Sequence, residues 1–123
     1  MSLQTLALIL MSVLTSAAAQ VLLKAGVSGA RGGVEAGTNL PVALLDFLTR
    51  PAVLAGLALY GVGAVLWLGA LSRTELSKAY PFVSLGFVLT ALAGSLLFGE
   101  AVGLVRASGI ALIVAGVVFV AWS

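Results

Sequence analysis

The chain has 123 residues, 62% of them hydrophobic and 8% charged, against roughly 25% charged in ordinary globular domains, so its solvent is expected to be mostly lipid. Histidine and cysteine are both missing from the sequence, which excludes imidazole or thiolate metal sites, Ser/His and Cys nucleophile arrangements, and disulfide staples. The net charge of +2 comes from scattered residues with no basic block, which argues against a nucleic-acid partner; Glu35, Asp46, Glu75 and Glu100 never pair at close helical spacing, which argues against an acid/base enzyme.

One membrane crossing needs about 20 mostly apolar residues, so four crossings with short turns use up the chain as a single membrane domain. The first apolar stretch, residues 3–23, has no positively charged segment before it, and a cleaved signal peptide is not expected. Residues 26–39 shift to Gly, Ser, Ala, Arg and Glu and read as a mobile loop. Residues 41–49 (PVALLDFLT) are too short to span, and they read as a helix lying at the membrane surface. Pro51 sits where a helix starts without losing a needed donor, and the second crossing follows over 52–71, punctuated by Gly56, Gly61, Gly63 and Gly69. In the turn SRTELSK, Ser72 and Glu75 have capping-box spacing. The third crossing covers 79–98, opening at Tyr80-Pro81. After a tight connection at 99–103 the fourth covers 104–122. The expected fold class is therefore an all-α integral membrane protein, a four-transmembrane-helix bundle with a short interfacial helix between the first and second crossings. Short connections make consecutive helices antiparallel neighbours. Lys24, Arg31, Arg50 and Arg106 fall on one side against Arg73 and Lys78 on the other, which by the positive-inside rule places both termini outside.

Four features carry functional readings beside plainer ones. Ser12, Ser16, Gln20 and Lys24 recur every four residues and form one stripe on the first helix. Such groups must face protein or a water-filled cavity in lipid, so the stripe either lines a substrate pathway or glues helices together while Lys24 snorkels to the interface. Ala107, Ala111 and Ala115, with Gly109 and Gly116 seven apart, form either an intermolecular seam or packing inside the bundle. Tyr80-Pro81 either shapes a cavity, the residue before proline being pushed from helical geometry, or is an interfacial aromatic at a helix start. Trp67, Tyr60 and Trp122 read as belt aromatics, and Glu100 as a solvated or capped carboxylate at a helix junction.

Four segments in order resemble the four-helix members of the drug/metabolite transporter superfamily, which include the small multidrug resistance exporters. They are LTSAAAQVLLK at 14–24, LWLGAL at 66–71, KAYPFVSLGFVLTALAGSLLFGE at 78–100 and SGIALIVAGVVFV at 108–120. Within that superfamily the closest likeness is to the small flippase subunits that move undecaprenyl phosphate-linked aminoarabinose across the bacterial inner membrane. It is carried by Gln20 with Lys24, Trp67 with Leu68, and the run from Ala79 to Val88. The resemblance implies a carrier for a polyprenyl phosphate-linked sugar. The drug exporters depend on a membrane-embedded glutamate in the first helix; the matching position here is Ser16, and the aromatic they carry three residues after the shared tyrosine is Val83. Both departures count against proton-coupled export of a lipophilic cation. The Gly109 to Gly116 spacing is shared with those exporters, where it supports dimerisation, and so points toward an intermolecular seam.

The expectation is thus a non-enzymatic transporter or flippase subunit, working as a homodimer or as a heterodimer with a similar small subunit, on a lipid-linked substrate. Its pathway residues are Ser12, Ser16, Gln20, Lys24, Lys78 and Tyr80, and its dimer seam is Gly109, Gly116 and Ala111. No cofactor or metal is expected. A small-cation exporter using Glu100, and a non-transporting assembly subunit, are the alternatives.

Overall fold

The computed structural model describes residues 2–28 and 39–123, and every element in them is helical. In chain order these are α1 (Leu3–Val27), α2 (Leu40–Phe47), α3 (Pro51–Leu71), α4 (Leu76–Ala79), a 3₁₀ segment (Tyr80–Val83), α5 (Ser84–Phe98) and α6 (Leu104–Trp122). Four stretches are long and apolar enough to cross a membrane: α1, α3, the continuous run Leu76–Phe98, and α6. At about 1.5 Å per residue they reach roughly 28–38 Å, enough for a hydrocarbon core about 30 Å thick. The chain is a multi-pass membrane protein of four crossings, with α2 as the short helix between the first two.

The first crossing outruns its expected end near residue 23. Ser2 caps its start, the side-chain oxygen accepting from the Thr5 N–H at 3.1 Å. At the other end the Ser28 N–H reaches the Lys24 carbonyl at 3.0 Å, and Arg50 Nη1 donates to the Gly26 carbonyl at 2.8 Å. Carbonyls in a helix's last turn have no intrahelical donor, and a guanidinium brought from 24 residues downstream supplies one. Gly26 and Val27 are therefore helical rather than loop. Residues 29–38, the rest of the expected mobile loop, lie outside the described residues.

Helices α1 and α3 run antiparallel in close contact, and glycines permit the approach. Gly63 faces Ser16 and the Ser12 carbonyl, Gly56 faces Leu23 and the Ala19 carbonyl, and Gly69 faces Leu8; Gly61 alone of the four meets nothing within 4 Å. In lipid there is no hydrophobic force between helices, so backbone proximity and interhelical hydrogen bonds hold them. The bond here is Ser12 Oγ donating to the Gly63 carbonyl at 2.8 Å, from a residue only 3% exposed. The tightest point is Gly26, where an added Cβ would lie 2.5 Å from Val53 Cγ2 and 3.0 Å from the Val53 backbone nitrogen. Gly26→Ala gains helix propensity worth about 1 kcal/mol but must push α3 away. Such overpacking costs about 1–3 kcal/mol, and the backbone atom cannot rotate aside. The expected net result is a lower midpoint of thermal unfolding in detergent for Gly26→Ala, with Gly61→Ala unchanged or raised.

The α3–α4 turn departs from the capping-box expectation. Ser72 closes the end of α3, its hydroxyl donating to the Gly69 carbonyl at 2.7 Å, while Glu75 precedes α4 without a side-chain cap. Arg73 Nη1 ties this end to the start of α1 through Gln4 Oε1 at 2.9 Å. Nor is Tyr80 expelled from helical geometry: it stays right-handed at φ −63° and ψ −38°. The missing proline donor is absorbed instead by a 3₁₀ turn. Below it, Ile9, Val13, Ala70, Ala79, Phe82 and Val117 form a core to which every crossing contributes.

The α6 helix packs on the bundle along one stripe, where Ile110, Ile113 and Val120 are half-buried. Val117 is its single buried residue, while Leu104, Val105 and Trp122 are more than four-fifths exposed. Trp122 is therefore placed as a belt aromatic would be.

Candidate functional site

Between α1, α3 and the third crossing a cleft of about 750 Å³ opens, within the range of about 300–1,000 Å³ common for ligand sites. One wall is the α1 stripe. Ser12, Ser16, Gln20 and Lys24 all line it, as a spacing of four residues on one helix requires. From α3 come Tyr60, Gly63 and Trp67, and from the third crossing Tyr80, Val83, Phe87 and Thr90. Among the described residues no α6 side chain reaches the cleft.

The stripe is not uniform. Ser12 is buried and its hydroxyl proton is committed to Gly63, so at the floor of the cleft it joins helices. Thr90 likewise donates to the Phe87 carbonyl at 3.1 Å. Ser16 is half-buried against Gly63, and Gln20 is exposed with no side-chain hydrogen bond among the described residues. Polar character that remains available to a ligand thus increases along α1 toward Lys24.

Lys24 stands at one end of the cleft with Nζ 3.9 Å from Glu100 Oε2, both side chains about half exposed. How Glu100 arrives there follows from local backbone chemistry. Gly99 adopts the left-handed conformation, φ 66° and ψ 21°, which ends α5 and turns the chain back. The N–H groups of Gly99 and Glu100 both reach the Gly94 carbonyl. The carboxylate then folds over Gly94, occupying the space a Cβ there would need. Glu100 is thus a half-exposed carboxylate at a helix junction, as expected of a solvated or capped one, and it also lines the cleft and stands opposite Lys24. The available signal was the order Gly94, Gly99, Glu100, a helix stop that returns the next side chain over the last turn.

Trp67 corrects a second expectation, that of a belt aromatic. Trp67 and Tyr60 both line the cleft; Trp67 is half-buried there and meets Tyr80 edge-on with ring centroids 6.2 Å apart and planes at 73°, while Tyr60 stays 46% exposed. Tyr60, Gly63, Ala64 and Trp67 stand at i, i+3, i+4 and i+7, one helical face, and Gly63 binds that face to α1. The structure places Tyr80 in the cleft lining but not Lys78, whose Nζ donates to the Ser123 carbonyl oxygen at 3.2 Å. Gly109 and Gly116 sit on α6 with open space where a Cβ would go. Ala111 is exposed too, but two residues from Gly109 turn it about 200° around the helix, onto another face.

No family model matches this chain, and no solved structure matches it. Part of it is similar to proteins named probable 4-amino-4-deoxy-L-arabinose-phosphoundecaprenol flippase subunit ArnE. Identity is 42% over 62 residues with that of Yersinia pseudotuberculosis serotype O:1b (strain IP 31758), covering 50% of this chain and 54% of the relative. It is 49% over 65 residues with that of Pseudomonas aeruginosa (strain UCBPP-PA14), covering 53% and 56%. The chain spans about half the length of the curated relatives it matches.

Proposed function

We propose that this protein is a subunit of a bacterial inner-membrane flippase that moves a polyprenyl phosphate-linked sugar, acting as a transporter component rather than an enzyme. The observation that carries this is the cleft wall in which Ser16, Gln20 and Lys24 rise from a buried floor to a cation at one end. The partial likeness to proteins named as flippase subunits supports it. The prenyl tail stays in lipid while the headgroup travels the cleft; Gln20 donates hydrogen bonds to it and Lys24 meets its phosphate. Ser12 holds the floor together, Tyr80 with Trp67 closes the other end, and Lys78 takes no part. A second protomer, this chain or a similar small subunit, completes the pathway, because α6 contributes nothing to the cleft and leaves Gly109 and Gly116 uncovered.

The test reconstitutes the chain in liposomes holding a fluorescent short-chain polyprenyl phosphate sugar and follows headgroup quenching by a membrane-impermeant reagent. Protein-dependent exposure, weakened several-fold in Gln20→Ala, is the expected result. Exposure no greater than in empty liposomes, with this chain alone and with a similar small subunit co-reconstituted, sinks the proposal. One observation favours a cation exporter as second reading: Glu100 lies in the cleft. Proton-driven efflux of a lipophilic cation, abolished by Glu100→Gln, would establish that reading instead.

A further inference from the structure

The flippase reading gives Lys24 a role and leaves Glu100 without one. A carboxylate beside a phosphate-binding lysine is a liability if phosphate is the whole charge on the headgroup, because it repels that phosphate and competes for the ammonium. Yet the chain directs Glu100 there by two separate devices. The left-handed Gly99 turns the backbone back, and Gly94 leaves the space in which the carboxylate lies.

The pair is also loosely made. At 3.9 Å the separation exceeds hydrogen-bond range, and with both side chains about half exposed it adds little to folding. Each partner therefore keeps capacity for a ligand. Arg106, the next cation along the chain, does not satisfy Glu100; its Nη1 donates to the Ala101 carbonyl at 2.9 Å. What remains is a fixed cation and a fixed anion a few ångströms apart at the open end of a cleft.

Resting on the flippase reading, we infer that the Lys24–Glu100 pair is a bipolar headgroup site, Lys24 taking a phosphate and Glu100 a primary ammonium on the same molecule. In the empty protein the two charges neutralise each other. A headgroup carrying both opens the pair and replaces one contact by two. A phosphate alone would leave Glu100 stranded against it. Two sources offer this chemistry: a polyprenyl phosphate linked to a sugar with a free amine, and phosphatidylethanolamine from the bilayer.

The experiment measures binding rather than movement, so that it is separable from the flippase test. The chain has two tryptophans, and Trp67 lines the cleft. In a Trp122→Phe background its fluorescence reports occupancy in nanodiscs of phosphatidylglycerol and phosphatidylcholine. The probes are a short-chain polyprenyl phosphate aminosugar and the same lipid with its amine acetylated. The free amine is expected to bind about tenfold tighter, as a charge-assisted hydrogen bond implies. Glu100→Gln is expected to remove that preference and to tighten the acetylated probe, whose phosphate then meets Lys24 with no carboxylate beside it; binding of that probe also shows that the variant folds. Gly94→Ala, which keeps the charge but displaces the carboxylate, is expected to remove it as well. Equal binding of the two probes by the unsubstituted protein, or a preference that survives Glu100→Gln, overturns the inference. Competition by phosphatidylethanolamine at equal mole fraction assigns the site to bilayer lipid and overturns the sugar-lipid source; failure to compete supports it. Preference intact with no lipid movement would sink the transport reading alone.

Discussion

Lys24→Met is expected to slow headgroup exposure in the liposome assay about tenfold, with Lys24→Arg retaining most of the rate and Lys78→Met within about twofold of the unsubstituted protein. The magnitude follows from where the ammonium stands. A hydrogen bond to a charged group contributes about 1.5–3 kcal/mol, and each 1.4 kcal/mol is about a factor of ten. Full burial would place Lys24 at the upper end, but its side chain is half exposed and solvent screens it, so the lower end applies. Lys78 is the control because its charge is turned to the Ser123 carbonyl oxygen, away from the cleft. Equal losses at Lys24 and Lys78 would mean that the two lysines act only through general attraction of an anionic lipid. An undiminished rate in Lys24→Met would remove the cleft end from the pathway altogether.

The crossings were legible in the sequence because lipid imposes length and apolarity on each helix separately, and those are properties of a window of residues. The stripe from Ser12 to Lys24 was legible for a similar reason, since four residues is a helical repeat whatever surrounds it. What the stripe does was not legible. Ser12 and Ser16 have the same chemistry and spacing, yet Gly63 brings a bare carbonyl to Ser12 and turns it into an interhelical tie. That depends on the register between α1 and α3, a non-local fact. Trp67 failed the same way: four residues from a helix end it has the position of an interfacial aromatic, and only the packing of its face on α1 turns it inward. Glu100 required a backbone sign, the positive φ of Gly99, which a glycine permits but does not demand. The placing of Lys78 outside the cleft was not legible, because distance along the sequence from Tyr80 says nothing about which side of a short helix and 3₁₀ turn a long side chain leaves.

The arrangement of the core divides the labour between helices. Every crossing meets in the cluster around Ile9, Val13, Phe82 and Val117, while the other end opens into the cleft. At the Lys24 end α1 and α3 still pack tightly, Gly26 on Val53 and Gly56 on Leu23, so the cleft opens between that pair and the third crossing. The α6 helix, half-buried at Ile110, Ile113 and Val120 and buried at Val117, leaves the rest of its surface outside the bundle.

The second large effect is expected on the outer surface of α6. Gly116→Leu is expected to abolish association of two protomers while leaving the protomer's own thermal unfolding unchanged. Within one chain a Cβ at either Gly109 or Gly116 meets nothing within 4 Å, so a larger side chain costs the fold little. Across a close helix–helix seam the same side chain holds the backbones apart, an overpacking penalty of about 1–3 kcal/mol in each protomer. The lack of cysteine makes the measurement clean, because Gly109→Cys supplies a unique thiol. Oxidation in membranes is expected to give a disulfide-linked dimer, lost when Gly116→Leu is added and kept when Ala111→Leu is added, since Ala111 faces elsewhere. Cross-linking that appears only when a similar small subunit with a matching cysteine is co-expressed would make the pathway heterodimeric. Cross-linking indifferent to Gly116→Leu would leave the glycines facing lipid and require the cleft to be completed through another helix.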